Sequence, residues 1–189
     1  MMINQLGRIT IDRAVKLASS IAVGCCLLVV LNVTTVAQQR DAATYLRPEH
    51  RAIVDEWLKL RPDLRLATDA DNTNKDGLAA MRQEQGRNYH PYYAVGDFNG
   101  DKKEDFAVFL VRQKKSKWPF VFAIFNGPLT KDGKPAYITD ADIADGGVTY
   151  SAQNPARRGR LLFGTFETDN CVIVRPRGRS YTTIPCLGE

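Results

Sequence analysis

Four oxygen-bearing side chains recur at short, regular spacing in the middle of the chain. Asp97, Asn99, Asp101 and Asp105 stand at positions 1, 3, 5 and 9 of the segment Asp97-Phe-Asn-Gly-Asp-Lys-Lys-Glu-Asp105. A hard cation such as Ca²⁺ takes six to eight oxygens, and this spacing brings several side-chain oxygens toward one centre. The main-chain carbonyl of Lys103, at position 7, is a further candidate ligand. An EF-hand is excluded, because position 12 is Val108, where that loop needs a bidentate glutamate. The competing reading is a polar loop whose Asp and Asn side chains cap its own backbone amides with no ion. Lys102 and Lys103 reduce the negative potential of the loop under either reading.

The stretch Val95 to Val108 resembles the D-x-N-G-D-x-x-x-D loop of FG-GAP/VCBS-type repeats, whose usual form is close to GDFNGDGKxDLAV. The resemblance implies calcium held by Asp97, Asn99, Asp101 and Asp105 with the Lys103 carbonyl, in an extracellular or cell-surface protein. Two departures limit it. The glycine that normally follows the third ligand is Lys102 here, so a non-glycine must take whatever strained conformation that position needs. The motif also occurs once, whereas a β-propeller of such repeats needs many four-stranded blades. The loop is carried over, and the propeller is not.

Other chemistries find less support. The two histidines, His50 and His90, have no metal-ligand partner at helical or loop spacing. His50 is expected on the polar side of a first helix, and His90 at a strand start as a packing or edge residue. There is no P-loop, G-x-G-x-x-G or G-x-S-x-G pattern. The alternative to a non-catalytic module is a small extracytoplasmic hydrolase whose acids include Asp97, Asp101 or Glu104. A second acidic stretch, Asp69, Asp71, Thr73 and Asp76, has poorer spacing with Lys75 inside it, and reads as a solvated loop.

The elements that must position the loop follow from periodicity. Pro48 suits a first helical turn, Ile53, Val54, Trp57 and Leu58 share one face, and Pro62 ends the helix near Leu60. Residues 67–77 are turn-rich. A shorter helix is expected over residues 78–85, stopped by Gly86. Residues 106–111 (FAVFLV) and 120–125 (FVFAIF) are apolar on both faces, as central strands covered on two sides are. Further strands are expected from Tyr92 onward and near residues 136–139, 148–151 and 161–166. The order, helices first and sequential strands afterwards, predicts an α+β domain spanning residues 38–189. In it, one or two helices pack on an antiparallel sheet of about five to seven strands.

The chain closes on a hairpin. Gly178-Arg179 makes a two-residue type II′ turn that pairs Arg177 with Ser180, Val174 with Thr183, Ile173 with Ile184, and Cys171 with Cys186. Pro176 and Pro185 then fall where a missing N–H does the ladder no harm. The cysteines land on a hydrogen-bonded pair, with Cα atoms about 5.5 Å apart, within disulfide range.

At the other terminus, residues 1–16 carry three positive charges, and no charged residue follows from Leu17 to Gln39. The apolar stretch 21–31 suits a secretory signal, and Thr35-Val36-Ala37 supplies a cleavage site before Gln38. The alternative is an uncleaved N-terminal anchor, the one membrane contact expected, through residues 17–37. Cys25 and Cys26 would leave with the signal. The 189 residues carry a net charge of +5, of which +3 remains after residue 37. That surplus is too small to argue for nucleic acid. Basic clusters at Arg112/Lys114/Lys115/Lys117, Arg157/Arg158/Arg160 and Arg175/Arg177/Arg179 sit at strand ends and turns. They either keep loops soluble or converge as an anionic-ligand surface. The sequence thus predicts a periplasmic or secreted module with a calcium loop, engaging a protein or an envelope polymer.

Overall fold

The computed structural model describes residues 45–130, 132–151 and 160–186. The signal or anchor segment, Cys25 and Cys26, and Arg157 and Arg158 lie outside them. Helix α1 runs Pro48–Leu58, with the proline in its first turn, where its missing N–H is not needed. A three-residue strand β1 (Leu64–Leu66) and a 3₁₀ turn (Asp69–Asp71) lead into α2 (Lys75–Gln85). Asn74 caps α2 by accepting from the Gly77 amide, and Gly86, at φ 102°, ends it. Strands β2 (Tyr93–Gly96), β3 (Asp105–Arg112), β4 (Phe120–Phe125) and β5 (Tyr137–Ala141) follow. Then come β6 (Gly146–Ser151), β7 (Arg160–Thr165), β8 (Cys171–Arg177) and β9 (Ser180–Pro185).

The nine strands of the described residues form two antiparallel sheets, where the sequence predicts one of five to seven strands. The first is ordered β1-β3-β4-β5, with β2 also on β3, and the second is the meander β6-β7-β8-β9. β1 and β2 share one edge of β3 end to end: Leu64 to Leu66 pair with Arg112 to Leu110, and Tyr93 to Gly96 with Val108 to Asp105. The physical reason for the second sheet lies in β3 and β4. Both of their faces are apolar, and a single helix covers only one.

Phe106, Val108, Leu110, Val121, Ala123 and Phe125 meet Ile53, Val54 and Trp57 of α1. Ala107, Phe109, Phe122 and Ile124, on the opposite face, meet Val148, Leu161, Phe163 and Val174 of the second sheet. The Phe163 ring stands 5.6 Å from Phe109 and 4.9 Å from Phe122. Each such buried ring contributes about 1.5–3 kcal/mol. Phe109→Ala would remove the ring shared by both sheets, at about 3–5 kcal/mol.

The hairpin has the register that turn chemistry predicts. Arg177 pairs with Ser180, Val174 with Thr183 and Ile173 with Ile184. Gly178 sits at φ 63° while Arg179 does not take a positive φ, which is the type II′ pattern. Cys186 N donates to Cys171 O at 2.8 Å, and the two cysteines are disulfide-bonded with Cα atoms 5.2 Å apart. Such a bond belongs to an oxidising, extracytoplasmic environment. Among the described residues no helix is long and apolar enough to cross a membrane.

Candidate metal loop

The Gly96–Asp105 pair at the end of the β2–β3 ladder closes the loop. Inside it the side chains turn back onto the backbone. Asp97 Oδ1 accepts from the amides of Gly100 at 2.7 Å and Asp101 at 3.1 Å, and Oδ2 from Lys102 at 2.9 Å. Asn99 Oδ1 accepts from Asp101 N at 2.9 Å, and Asp101 Oδ1 from Lys103 N at 2.8 Å. These are successive Asx turns, each satisfying an amide that the ladder leaves unpaired. Gly100 at φ 81° and Lys102 at φ 67° supply the left-handed bends. Lys102 therefore takes the conformation that glycine fills elsewhere, at a cost of about 1–2 kcal/mol.

Asp105 has a different role. It is fully buried on the face of β3 that meets the second sheet. Its Oδ2 accepts from Phe98 N at 2.9 Å, and its Oδ1 from Gly127 N at 2.8 Å. The loop is thereby stitched both to itself and to the β4–β5 connection. Gly127 must be glycine, because a Cβ there would stand 2.6 Å from the Glu104 carbonyl oxygen. Tyr181, on β9, places its hydroxyl 2.7 Å from Asn126 Oδ1 and 3.4 Å from Asp105 Oδ2, so its single proton goes to the nearer oxygen. Burial raises the Asp105 carboxyl above its ordinary range. Burial, with the Asp105 charge next, raises the Tyr181 phenol.

The predicted ligands are thus distributed unequally. Asp97, Asn99, Asp101 and the Lys103 backbone belong to one turn, while Asp105 is directed into the protein. Among the described residues no three His, Cys, Asp or Glu side chains are grouped to hold a metal ion. Glu104, the remaining acid of the loop, faces α1 instead, where Arg47 Nη1 meets its Oε1 at 2.6 Å. Both partners are about half exposed, so the pair is worth at most about 1 kcal/mol.

Beneath Glu104 lies His50, and here the expectation of a polar-side histidine is corrected. His50 is fully buried. Its ring stacks on Phe106 at 4.2 Å, its Nδ1 is 2.7 Å from the Tyr93 hydroxyl, and its Nε2 is 3.5 Å from Glu104 Oε1. Burial holds its pKa below the ordinary 6.5. The signal was present in the spacing: Ile53, Val54 and Trp57 follow His50 by three, four and seven residues, which puts the imidazole on the apolar face.

The second acidic stretch is likewise more ordered than a solvated loop. Asp71 pairs with Arg65 and Asp69 with Arg82, both at 2.5 Å. Asn72 is buried and donates to the Gly146 carbonyl at 2.8 Å.

Two basic clusters stand at opposite ends of the first sheet. Tyr181 ties the Arg175/Arg177/Arg179 hairpin to Asp105 and Asn126, whereas Arg112, Lys114, Lys115 and Lys117 lie at the other end of β3. They therefore do not form one convergent patch. A groove of about 830 Å³ runs between α2 and the second sheet, lined by Met81, Tyr89, Leu162, Phe166 and Ile173 among others; none of the five predicted loop ligands reaches it. Sequence reasoning missed Tyr181 and Gly127, because their part in the loop depends on contacts with no local signature. A comparison with protein families, curated proteins and solved structures finds no match to this chain.

Proposed function

We propose that the chain is an exported, non-catalytic module in which the 97–105 loop binds Ca²⁺ as a structural ion, and whose surface engages a protein or envelope polymer outside the cytoplasm. The observation that carries this reading is Lys102 at φ 67°, two residues after Gly100 at φ 81°. A lysine in a left-handed bend is strained, and the loop keeps it while turning Asp97, Asn99 and Asp101 inward. The donor set fits a hard cation, since every side-chain candidate is an oxygen. Asp97, Asn99, Asp101 and the Lys103 carbonyl would hold the ion, and Asp105 would brace the loop from below. The ion would neutralise Asp97 and Asp101, two carboxylates kept close by the turn. Because their oxygens already accept amides, binding is expected in the weak, millimolar range of extracellular modules.

The test is thermal unfolding of the non-reduced protein in excess calcium and then in chelator. At about 100 times the Kd, a ligand adds about 2.7 kcal/mol, which raises the midpoint by several degrees. Asp101→Ala should abolish that rise. An unchanged midpoint at about 100 mM calcium, measured against a matched salt control, would reduce the loop to an amide-capped turn. The hydrolase alternative separates on Glu104→Gln, which caps no loop amide and would then leave stability near wild type while removing an activity.

A further inference from the structure

The end of β3 away from the calcium-type loop carries a surface of a different kind. β3 stops at Arg112 and β4 starts at Phe120, and Lys114, Lys115, Ser116, Lys117 and Trp118 between them are all exposed. Gln113 pins this connection to the turn after α1: its backbone N donates to Asp63 O at 2.9 Å, and its Nε2 donates to Pro62 O at 2.9 Å. That turn presents Leu60, which is 72% exposed. Trp118 is 39% exposed, and among the described residues Leu60, Trp118 and Ile138 are the exposed large apolar side chains. Two of the three therefore belong to adjoining segments of one end.

The charges around them are not balanced. Lys59 pairs with Glu56, Arg61 with Asp63 at 3.1 Å, and Arg112 with Asp140 at 2.5 Å and with Asp63 at 3.7 Å. Glu56, Asp63 and Asp140 are so engaged. Exposed Asp142, just after β5, enters no ion pair among the described residues, and neither do Lys114, Lys115 and Lys117, so three ammonium groups stand against one unpaired carboxylate. The Lys117 ammonium instead lies 5.1 Å from the Trp118 ring centroid.

We propose that this end rests against an anionic lipid bilayer, with Leu60 and Trp118 entering the interface and Lys114, Lys115 and Lys117 meeting the headgroups. A soluble polyanion would account for the lysines and give no reason for the exposed leucine and indole. A bilayer accounts for both, because tryptophan prefers the headgroup level and lysine keeps its ammonium there. The surface lies away from the 97–105 loop and stands whether or not that loop takes calcium.

The chain contains two tryptophans, and the other, Trp57, is buried in the core. Quenching of fluorescence by bromine-labelled acyl chains therefore reports on Trp118, whatever residues 1–37 do. The full chain is mixed, in chelator, with vesicles of brominated phosphatidylcholine, with and without phosphatidylglycerol. Quenching is expected only with phosphatidylglycerol present, and it should fade as salt is raised. Each lysine contributes about a fivefold factor. K114E/K115E/K117E should therefore weaken binding by two orders of magnitude or more, and Leu60→Ser should weaken it less. Quenching equal in neutral vesicles, or unchanged by the triple reversal, would overturn the proposal. So would tight binding to heparin without bromine quenching, which would assign the lysines to a soluble polyanion.

Discussion

Two loops hang from the two ends of the same strand and solve opposite problems. At the start of β3, residues 97–104 fold onto themselves, with Asp97, Asn99 and Asp101 accepting the loop's own amides and Asp105 accepting two more from below. At its end, residues 113–119 are held at Gln113 and at Pro119, whose carbonyl accepts from Arg112 N, and leave three lysines and Trp118 to solvent. Both loops are polar and close in length, so polarity does not separate them. What separates them is the reach of the side chains. An Asx oxygen three bonds from Cα satisfies an amide two to five residues on, whereas a lysine side chain offers no acceptor and its length carries the charge outward. A short acidic repeat therefore rigidifies its loop, and a basic one leaves its loop available.

The strongest challenge to that contrast is Asp105→Ala. It leaves the amides of Phe98 and Gly127 without acceptors, at about 1–3 kcal/mol each. A loss of about 4 kcal/mol in chemical denaturation is expected, and a loss below 1 kcal/mol would show that water replaces the carboxylate and that the loop is not stitched from within. Next in size is removal of the disulfide by Cys171→Ala with Cys186→Ala. A closed loop of about 15 residues is worth about 3 kcal/mol. Because Tyr181 on the same hairpin abuts Asp105, hydrogen exchange should rise in residues 97–105 and stay unchanged in 113–119. Equal rises at both ends would erase the distinction.

A smaller effect concerns the floor beneath Glu104. Burial holds His50 below its ordinary 6.5, so the unfolded chain takes up its proton at higher pH than the folded one. The stability this histidine contributes is then complete above about pH 6.5 and declines as pH falls through its folded value. Denaturation midpoints measured from pH 7.5 down to 5.0 should fall in the wild type and fall less in His50→Phe, which keeps the stack on Phe106. His90, held low by burial as well, retains its own share of the slope. The smallest effect is expected at the open loop: Lys114→Ala and Lys115→Ala should change stability by less than about 0.5 kcal/mol.

Much of this was legible residue by residue. The runs over 106–111 and 120–125 announced strands buried on both faces, and β4 spans Phe120–Phe125 as expected. Gly178 fixed the hairpin register, and with it the cysteine pairing. The three-residue β1 could not be read, because three residues carry no period and its partner is an edge of β3 more than forty residues away. His50 was legible in its spacing and was misassigned by its polarity, since a buried imidazole needs only one good partner and an aromatic neighbour.

The sequence by itself determined whatever is decided within a few residues: helix stops, the type II′ turn, the Asx spacing of 97–105 and the two-faced strands. Those follow from covalent reach, since a side chain can bond only the amides it can touch. The tertiary structure alone decided that a second sheet, not a second helix, covers the outer face of β3 and β4. It alone set Tyr181 and Gly127 against Asp105 and left the 113–119 lysines unpaired. These outcomes join residues 22 to 76 positions apart, and no local spacing encodes them. They are fixed by which apolar faces must be buried together, a condition that only the whole chain satisfies at once.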